Sequence, residues 1–463
     1  MIAPARAAAH RVLRDVRTGR RDLARAQDRA RRSLADPRDR ALAAEIALGT
    51  LRRRAALDHL LRQVSSRGLD TVDPDVLDLL RAAAYQLRHL QRVPAHAVVD
   101  DAVALTRTVA SARAAGYVNA VLRALAAGPA AALPPRPAGA EAAGGNLDRR
   151  QALAYLATTQ SHPRWLVERW LDRHGFAAAE RWTSFNNTAA PIALRVNRLR
   201  STPGALAAQL AEQGVEVAAG RWSPATLVVT RGNPLATALA GRGLFLVQDE
   251  ASQLVAELVR ARPGDRVLDA CAAPGGKTVA IAGAMADRGL LVAGDLRRAR
   301  LALLADTLAG CGCRSARIVR LDACAPLPFG PAFDWVLVDA PCSGLGTLRR
   351  DPDIRWRRTP DELPALARVQ SALLDAAAAV VAPGGRLVYA TCSSEPEENQ
   401  RVVEAFLGRA PGFTVDPPRA PRLAPLLDAA GCVQTLPHRD SLEAFFAAVL
   451  RRDSRPAHDL RYT

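Results

Sequence analysis

Lysine is almost missing from this chain. Of its 63 basic residues, 62 are arginine, and the single lysine, Lys277, sits in a glycine loop. In so alanine-rich a chain this bias reflects GC-rich codon usage. A lysine kept in that loop hints that a compact ammonium fits there better than a planar guanidinium. Aromatic residues make up only 4%, so a surface that grips nucleobases mainly by ring stacking is not expected, and arginine would take that part. No window approaches the roughly eighteen uninterrupted apolar residues of a membrane span. The first twenty residues carry Arg6, Arg11, Arg14, Arg17 and Arg20 without an apolar core, which speaks against a secretory signal. Cysteine is scarce and odd in number, at seven. Most stand singly in apolar runs (Cys271, Cys324, Cys342, Cys392, Cys432), as reduced thiols in a cytoplasm would. Cys311 and Cys313 lack a second Cys/His pair, so no metal site is expected.

What the chain has in excess is positive charge, formally +17. Basic surface gains from counterion release on a phosphate backbone, so a nucleic-acid partner is expected. Nothing in the pattern demands a dimer, and a monomer is expected. At 463 residues the chain exceeds one ordinary core, so two or three domains should form.

Residues 1–127 read as helices throughout. Asp73-Pro74 is an N-cap with proline at the first helical position, and Val76, Leu79, Leu80, Ala83, Leu87 and Leu90 follow on one stripe up to Pro94. Further runs lie at Val98–Thr108 and Gly116–Ala126. Residues 1–125 hold 23 arginines against 13 acids, leaving +10. A bundle with a solvated basic face and a bundle that grips RNA both fit. Residues 128–149 contain an Ala/Pro/Gly tract with little to bury, read as a flexible linker. Residues 150–240 read as a small α+β domain, with helices at Trp165–Gly175 and Pro203–Gln213 and strands at Ile192–Val196 and Thr226–Val229. Residues 241–453 alternate strand and helix. Strands are expected at Arg266–Ala270, Gly289–Gly294, Ala316–Arg320, Asp334–Val338 and Gly385–Ala390, with a capping box at Thr359–Glu362. Buried apolar strands alternating with helices imply a mainly parallel sheet covered on both faces, with ligands beyond its carboxyl ends.

The chemistry-bearing residues fall at those ends. Asp269 to Thr278 runs off the first strand into a helix, and Gly275 and Gly276 allow close backbone approach to a ligand. The spacing is neither G-x-G-x-x-G nor a P-loop. Asp295 closes the second strand, where an acid suits two ribose hydroxyls, and Asp322 follows the third, where it could meet an adenine amino group. Loop and acids in this order, without redox or phosphate signatures, point to S-adenosylmethionine. Asp339-Ala-Pro-Cys342 and Thr391-Cys392 end the fourth and fifth strands. A cysteine at the last place of the first motif argues against attack by an exocyclic amine. Carbon 5 of cytosine is a poor nucleophile, but thiolate addition at C6 makes the ring enamine-like and able to accept a methyl group. A free thiol, of pKa about 8.5, is only a few per cent ionised at neutral pH, so a nearby donor or charge must assist it. Asp339 cannot do so by its own negative charge. It is better suited to holding the cytosine edge at N3/N4.

These motifs resemble the Sun/Fmu (RsmB-type) family of bacterial ribosomal RNA 5-methylcytosine methyltransferases. The matching segments are Val247–Ser252, Asp269–Thr278, Leu337–Cys342, Asp351–Trp356, Val388–Ser393 and Glu397–Asn399, with Ser161–Trp165 and Leu194–Asn197 upstream. Val93–His96 and Tyr117–Leu122 resemble the NusB-type RNA-binding domain of these enzymes. The resemblance implies an α/β Rossmann-like class I methyltransferase domain, preceded by an all-α NusB-like domain and the small α+β domain. It implies a 16S rRNA cytosine-C5 methyltransferase of the cytosine-967 type, with free rRNA or an early ribosomal particle as partner. It assigns Cys392 as nucleophile and Cys342 as the thiol that assists product release. Cys271, Ala272, Ala273, Pro274, Gly275, Gly276, Lys277, Asp295, Asp322 and Asp339 fall on the cofactor side, Lys277 ordering the loop or approaching the base. One departure is Asp440–Phe445, which lacks the glycine that usually precedes the family's paired aromatics. A DNA cytosine methyltransferase, a tRNA enzyme and an inert RNA-binding assembly or antitermination factor are the alternatives.

Overall fold

The computed structural model of the protein describes residues 2–128, 132–139 and 147–454. They divide into two units, Met1–Ala189 with Leu348–Arg357, and Ala190–Thr347 with Arg358–Thr463.

The first unit is helical because its sequence starts each helix explicitly. Asp22, Asp36, Asp73 and Ser111 cap the helices Leu23–Arg32, Pro37–Val64, Pro74–His89 and Ala112–Ala127 through their side-chain oxygens. The last of these, and Ala95–Val109, begin before the apolar runs read from sequence, because Ser111 and Pro94 set their starts. Leu57, Leu61, Leu80, Val118 and Leu122 meet in one core. Beside it Arg81 grips Asp58 with two nitrogens at 2.6 and 2.8 Å. The helix expected over Trp165–Gly175 runs on as Arg164–Asn186, broken only at Gly175, whose φ of 75° favours glycine. Trp170 and Trp182 stack across that break, their ring centroids 4.6 Å apart. Part of the expected linker falls outside the described residues. Its stretch 132–139 is held down: the Thr159 hydroxyl donates to the Pro134 carbonyl at 2.6 Å, and Arg136 pairs with Glu180. The segment Leu348–Arg357 also belongs here, and its wholly buried Arg355 donates only to oxygens that carry no charge, among them Ser161 O and Asn187 Oδ1.

The second unit holds two sheets. The strands are β1 Ala193–Val196, β2 Glu216–Ala219, β3 Thr226–Arg231, β4 Phe245–Val247, β5 Arg266–Asp269, β6 Leu290–Asp295, β7 Ala316–Arg320, β8 Phe333–Asp339, β9 Val381–Thr391, β10 Phe413–Val415, β11 Val433–Thr435 and β12 Phe445–Arg452. The first sheet, β2-β3-β1-β4, is antiparallel. The second runs β10-β12-β9-β8-β5-β6-β7, with β11 beside β12. Its members β7, β6, β5, β8 and β9 are parallel, while β10, β11 and β12 join antiparallel. Val267, Leu268, Val336, Leu337, Leu387 and Val388 are fully buried, as strands covered on both faces require. From β5 the chain turns to β6 and β7 on one side and to β8 and β9 on the other. The switch point lies between β5 and β8.

Two local expectations change. The capping box at Thr359–Glu362 does not form, because Pro360–Glu362 makes a tighter 3₁₀ turn. The Glu362 amide bonds the Thr359 carbonyl, and its carboxylate pairs with Arg358. Where Asp440–Phe445 departs from the family pattern, Ser441 takes the left-handed conformation at φ 59° and β11 still pairs with β12.

Candidate active site

Parallel pairing places the ends of β8 and β9 side by side: Asp339 lies opposite Ala390, and the Ala340 amide donates to the Ala390 carbonyl at 2.8 Å. Cys342 and Cys392 therefore leave the sheet next to each other, with their sulfur atoms 3.2 Å apart. The loop after Cys342 folds back so that the Gly346 amide donates to the Cys392 carbonyl at 2.9 Å. A Cβ at Gly346 would lie 1.9 Å from Ala444 O and 2.7 Å from Cys392 O, so only glycine permits this closure. Arg358 steadies the same loop by donating from Nε to Ser343 O at 2.8 Å. The Cys342 thiol is pushed well above its ordinary value by its hydrogen bond with Cys392, by burial, and by the nearby Glu398 carboxylate.

A cavity of about 380 Å³ opens at these strand ends, within the size range of small-molecule sites (about 300–1,000 Å³). Cys271, Asp295, Asp322, Asp339, Cys342 and Cys392 all line it. Asp295 is buried at the end of β6, where its Oδ1 accepts from the Arg297 amide at 3.2 Å and its Oδ2 faces Arg300 Nε at 3.3 Å. Asp322 is exposed and accepts from the Cys324 amide at 3.0 Å. Burial raises the Cys271 thiol well out of the reactive range.

The rest of the glycine loop looks elsewhere. Ala272, Ala273, Pro274, Gly276 and Lys277 line a neighbouring cavity of about 290 Å³, which shares Asp339 with the first. Gly275 begins the following helix at φ 107°, where an added Cβ would press on Leu304 and Thr307. Lys277 ties loop to strand end: its Nζ donates to Asp339 Oδ2 at 2.7 Å and to Ser252 Oγ at 3.0 Å. An ammonium reaches both acceptors as a point donor, which a planar fork would not. Thr278 donates to Asp269 Oδ2 at 2.7 Å, and burial pushes the Asp269 carboxyl up to about 7.

Residues that motif reading left without a role complete the frame. Arg195, buried on β1, donates to Gln248 Oε1 at 2.8 Å, Gly276 O at 3.1 Å and Gln253 O at 3.1 Å, bracing the glycine loop from the small sheet. Asn399 binds Thr391 Oγ1 at 2.5 Å and Ser393 O at 3.0 Å, on either side of Cys392. Among the described residues no cluster of three or more His, Cys, Asp or Glu side chains could hold a metal ion.

The donor set fits S-adenosylmethionine. Two carboxylates at adjacent strand ends, Asp295 and Asp322, share one cavity of suitable size with Asp339 and two thiols. Three family models match the chain: NusB family over residues 3–127, an RsmF/B-like methyltransferase ferredoxin-like domain over 162–236, and 16S rRNA methyltransferase RsmB/F over 256–451. The protein named ribosomal RNA small subunit methyltransferase B of Pseudomonas putida is 37% identical over 81% of this chain and 83% of its own. The protein of the same name from Xanthomonas campestris pv. campestris is 36% identical over 97% of both chains. The crystal structure of the protein PH0851 superposes with a TM-score of 0.81 at 26% identity, over 98% of this chain and 99% of that one.

Proposed function

Because the chain belongs to the RsmB/F family and is an S-adenosylmethionine-dependent RNA methyltransferase, we propose that it methylates carbon 5 of one cytosine in 16S rRNA, of the cytosine-967 type, through a covalent cysteine adduct. The observation that carries this reading is the contact of two thiols, 3.2 Å apart, on the wall of the cavity that also holds Asp295 and Asp322. A methyltransferase acting on an exocyclic amine has no use for such a pair.

When bound, the cofactor supplies an electrophilic methyl group; Asp295 would hold its ribose and Asp322 its adenine. Asp339, fixed by Lys277, holds the N3/N4 edge of the cytosine. Cys392 adds as thiolate to C6, forming the S–C6 bond and raising electron density at C5. Once C5 carries its methyl group, the C5 proton leaves to solvent. The C5–C6 double bond re-forms and the S–C6 pair returns to the Cys392 sulfur. Cys342 donates its S–H to that departing thiolate, which is why it must stay protonated. The helical unit, with exposed arginines such as Arg11, Arg20, Arg25 and Arg32, supplies phosphate contacts to free rRNA or an early particle. The enzyme acts as a monomer in the cytoplasm.

Bisulfite sequencing of ribosomal and transfer RNA from a deletion strain tests the reading. One 16S cytosine should lose its mark; loss confined to tRNA would refute it. A second expectation concerns the cofactor. Asp295→Ala removes charged acceptors and should weaken S-adenosylmethionine binding about 10- to 100-fold by isothermal titration. Unchanged affinity would remove Asp295 from the cofactor site.

A further inference from the structure

The reaction above uses no part of Glu397-Glu398-Asn399, yet Glu398 is wholly buried beneath the two thiols' loops. Its Oε1 accepts from the Ser343 amide at 2.8 Å and from Gln370 Nε2 at 2.9 Å. Its Oε2 accepts from the hydroxyls of Ser343 and Ser393, each at 2.5 Å. Ser343 follows Cys342 and Ser393 follows Cys392. The four donors are neutral, so the carboxylate bears its desolvation cost without the Coulomb gain of an ion pair. For filling the space an apolar side chain would serve better. What a carboxylate adds is a rigid pair of acceptors: Oε2 bridges the two loops through both serine hydroxyls, while Oε1 holds the Ser343 amide and Gln370. The Tyr389 hydroxyl donates to the Glu398 carbonyl at 2.6 Å and fixes the span from below.

We propose that Glu398 is a positioning residue that straps the Cys342 loop to the Cys392 loop and thereby sets the contact between the two sulfur atoms. Its consequences for turnover rest on the reading of Cys392 as nucleophile and Cys342 as its hydrogen-bond donor. The geometric claim does not. The Glu398 charge also adds to the hydrogen bond with Cys392 and to burial in raising the Cys342 thiol.

Phenylarsine oxide reads the geometry directly, because one arsenic atom must be reached by two sulfurs at once. The full-length protein should take up one equivalent at Cys342 and Cys392, mapped by mass spectrometry, and Cys342→Ala should lose it. Glu398→Asp keeps the charge but is one methylene too short to span both loops. It should bind the arsenical about tenfold more weakly, while the isosteric Glu398→Gln stays within about twofold of the parent. Glu398→Asp equal to the parent with unchanged melting overturns the proposal, as does no uptake at this pair in the parent. Should Glu398→Asp fail to fold, Ser343→Ala with Ser393→Ala cuts the strap from its other ends and carries the same expectation. In the methylation reaction Glu398→Asp should accumulate RNA-linked protein as Cys342→Ala does. No adduct in either variant would count against the covalent mechanism and leave the arsenical result standing.

Discussion

Cys392→Ala should abolish methylation, lowering turnover by at least about 10⁴-fold, the scale on which losing a covalent nucleophile acts. Carbon 5 of cytosine does not attack a methyl donor unaided, so no slower route through the same site replaces the S–C6 bond. The variant should bind S-adenosylmethionine as tightly as the parent, because the acids assigned to the cofactor stand on other strands: Asp295 ends β6 and Asp322 follows β7. It should also show no RNA-linked band on a denaturing gel. Folding should survive, since Cys392 is only half-buried and the backbone around it is held by Gly346 and Asn399. Retained turnover with intact cofactor binding would place the nucleophile elsewhere, and the reverse behaviour of the two cysteine variants would assign it to Cys342.

How much of this could be read beforehand differs from element to element. The parallel strands announced themselves because residues such as Val336, Leu337 and Val388 are buried on both faces and leave no polar alternation to misread. Once the strands are placed, topology alone gathers Cys342, Cys392, Asp295 and Asp322, since parallel strands present their carboxyl ends at one edge. Two features escaped. The glycine loop looks like one contact surface in sequence, but a tight turn points neighbouring residues in different directions, and Cys271 faces a different cavity from Ala272 to Lys277. Glu397 and Glu398 are adjacent acids with nothing in their spacing to rank them. Only the packed structure puts Glu398 in the core while Glu397 pairs with Arg401. The capping box failed for a related reason: a pattern of residue types specifies which hydrogen bonds are available, not which the backbone takes when Arg358 competes for Glu362.

Cys342→Ala should fail at the opposite end of the cycle from Cys392→Ala. The nucleophile remains, the cofactor cavity keeps its acids, and addition to C6 proceeds. What is missing is the S–H donor 3.2 Å from the sulfur that must leave. A thiolate expelled without a hydrogen bond in a half-buried site departs from a poorly solvated position, and charge-assisted hydrogen bonds contribute about 1.5–3 kcal/mol. Release should therefore slow by roughly 10- to 150-fold. If release then limits turnover, the adduct is the species that builds up. The expected result is a protein band shifted by the mass of the RNA on a denaturing gel, sensitive to ribonuclease and formed only when S-adenosylmethionine is supplied. The parent shows little of it. A Cys342→Ala protein that turns over at the parent rate without accumulating adduct would leave the contact between the two thiols without a catalytic purpose.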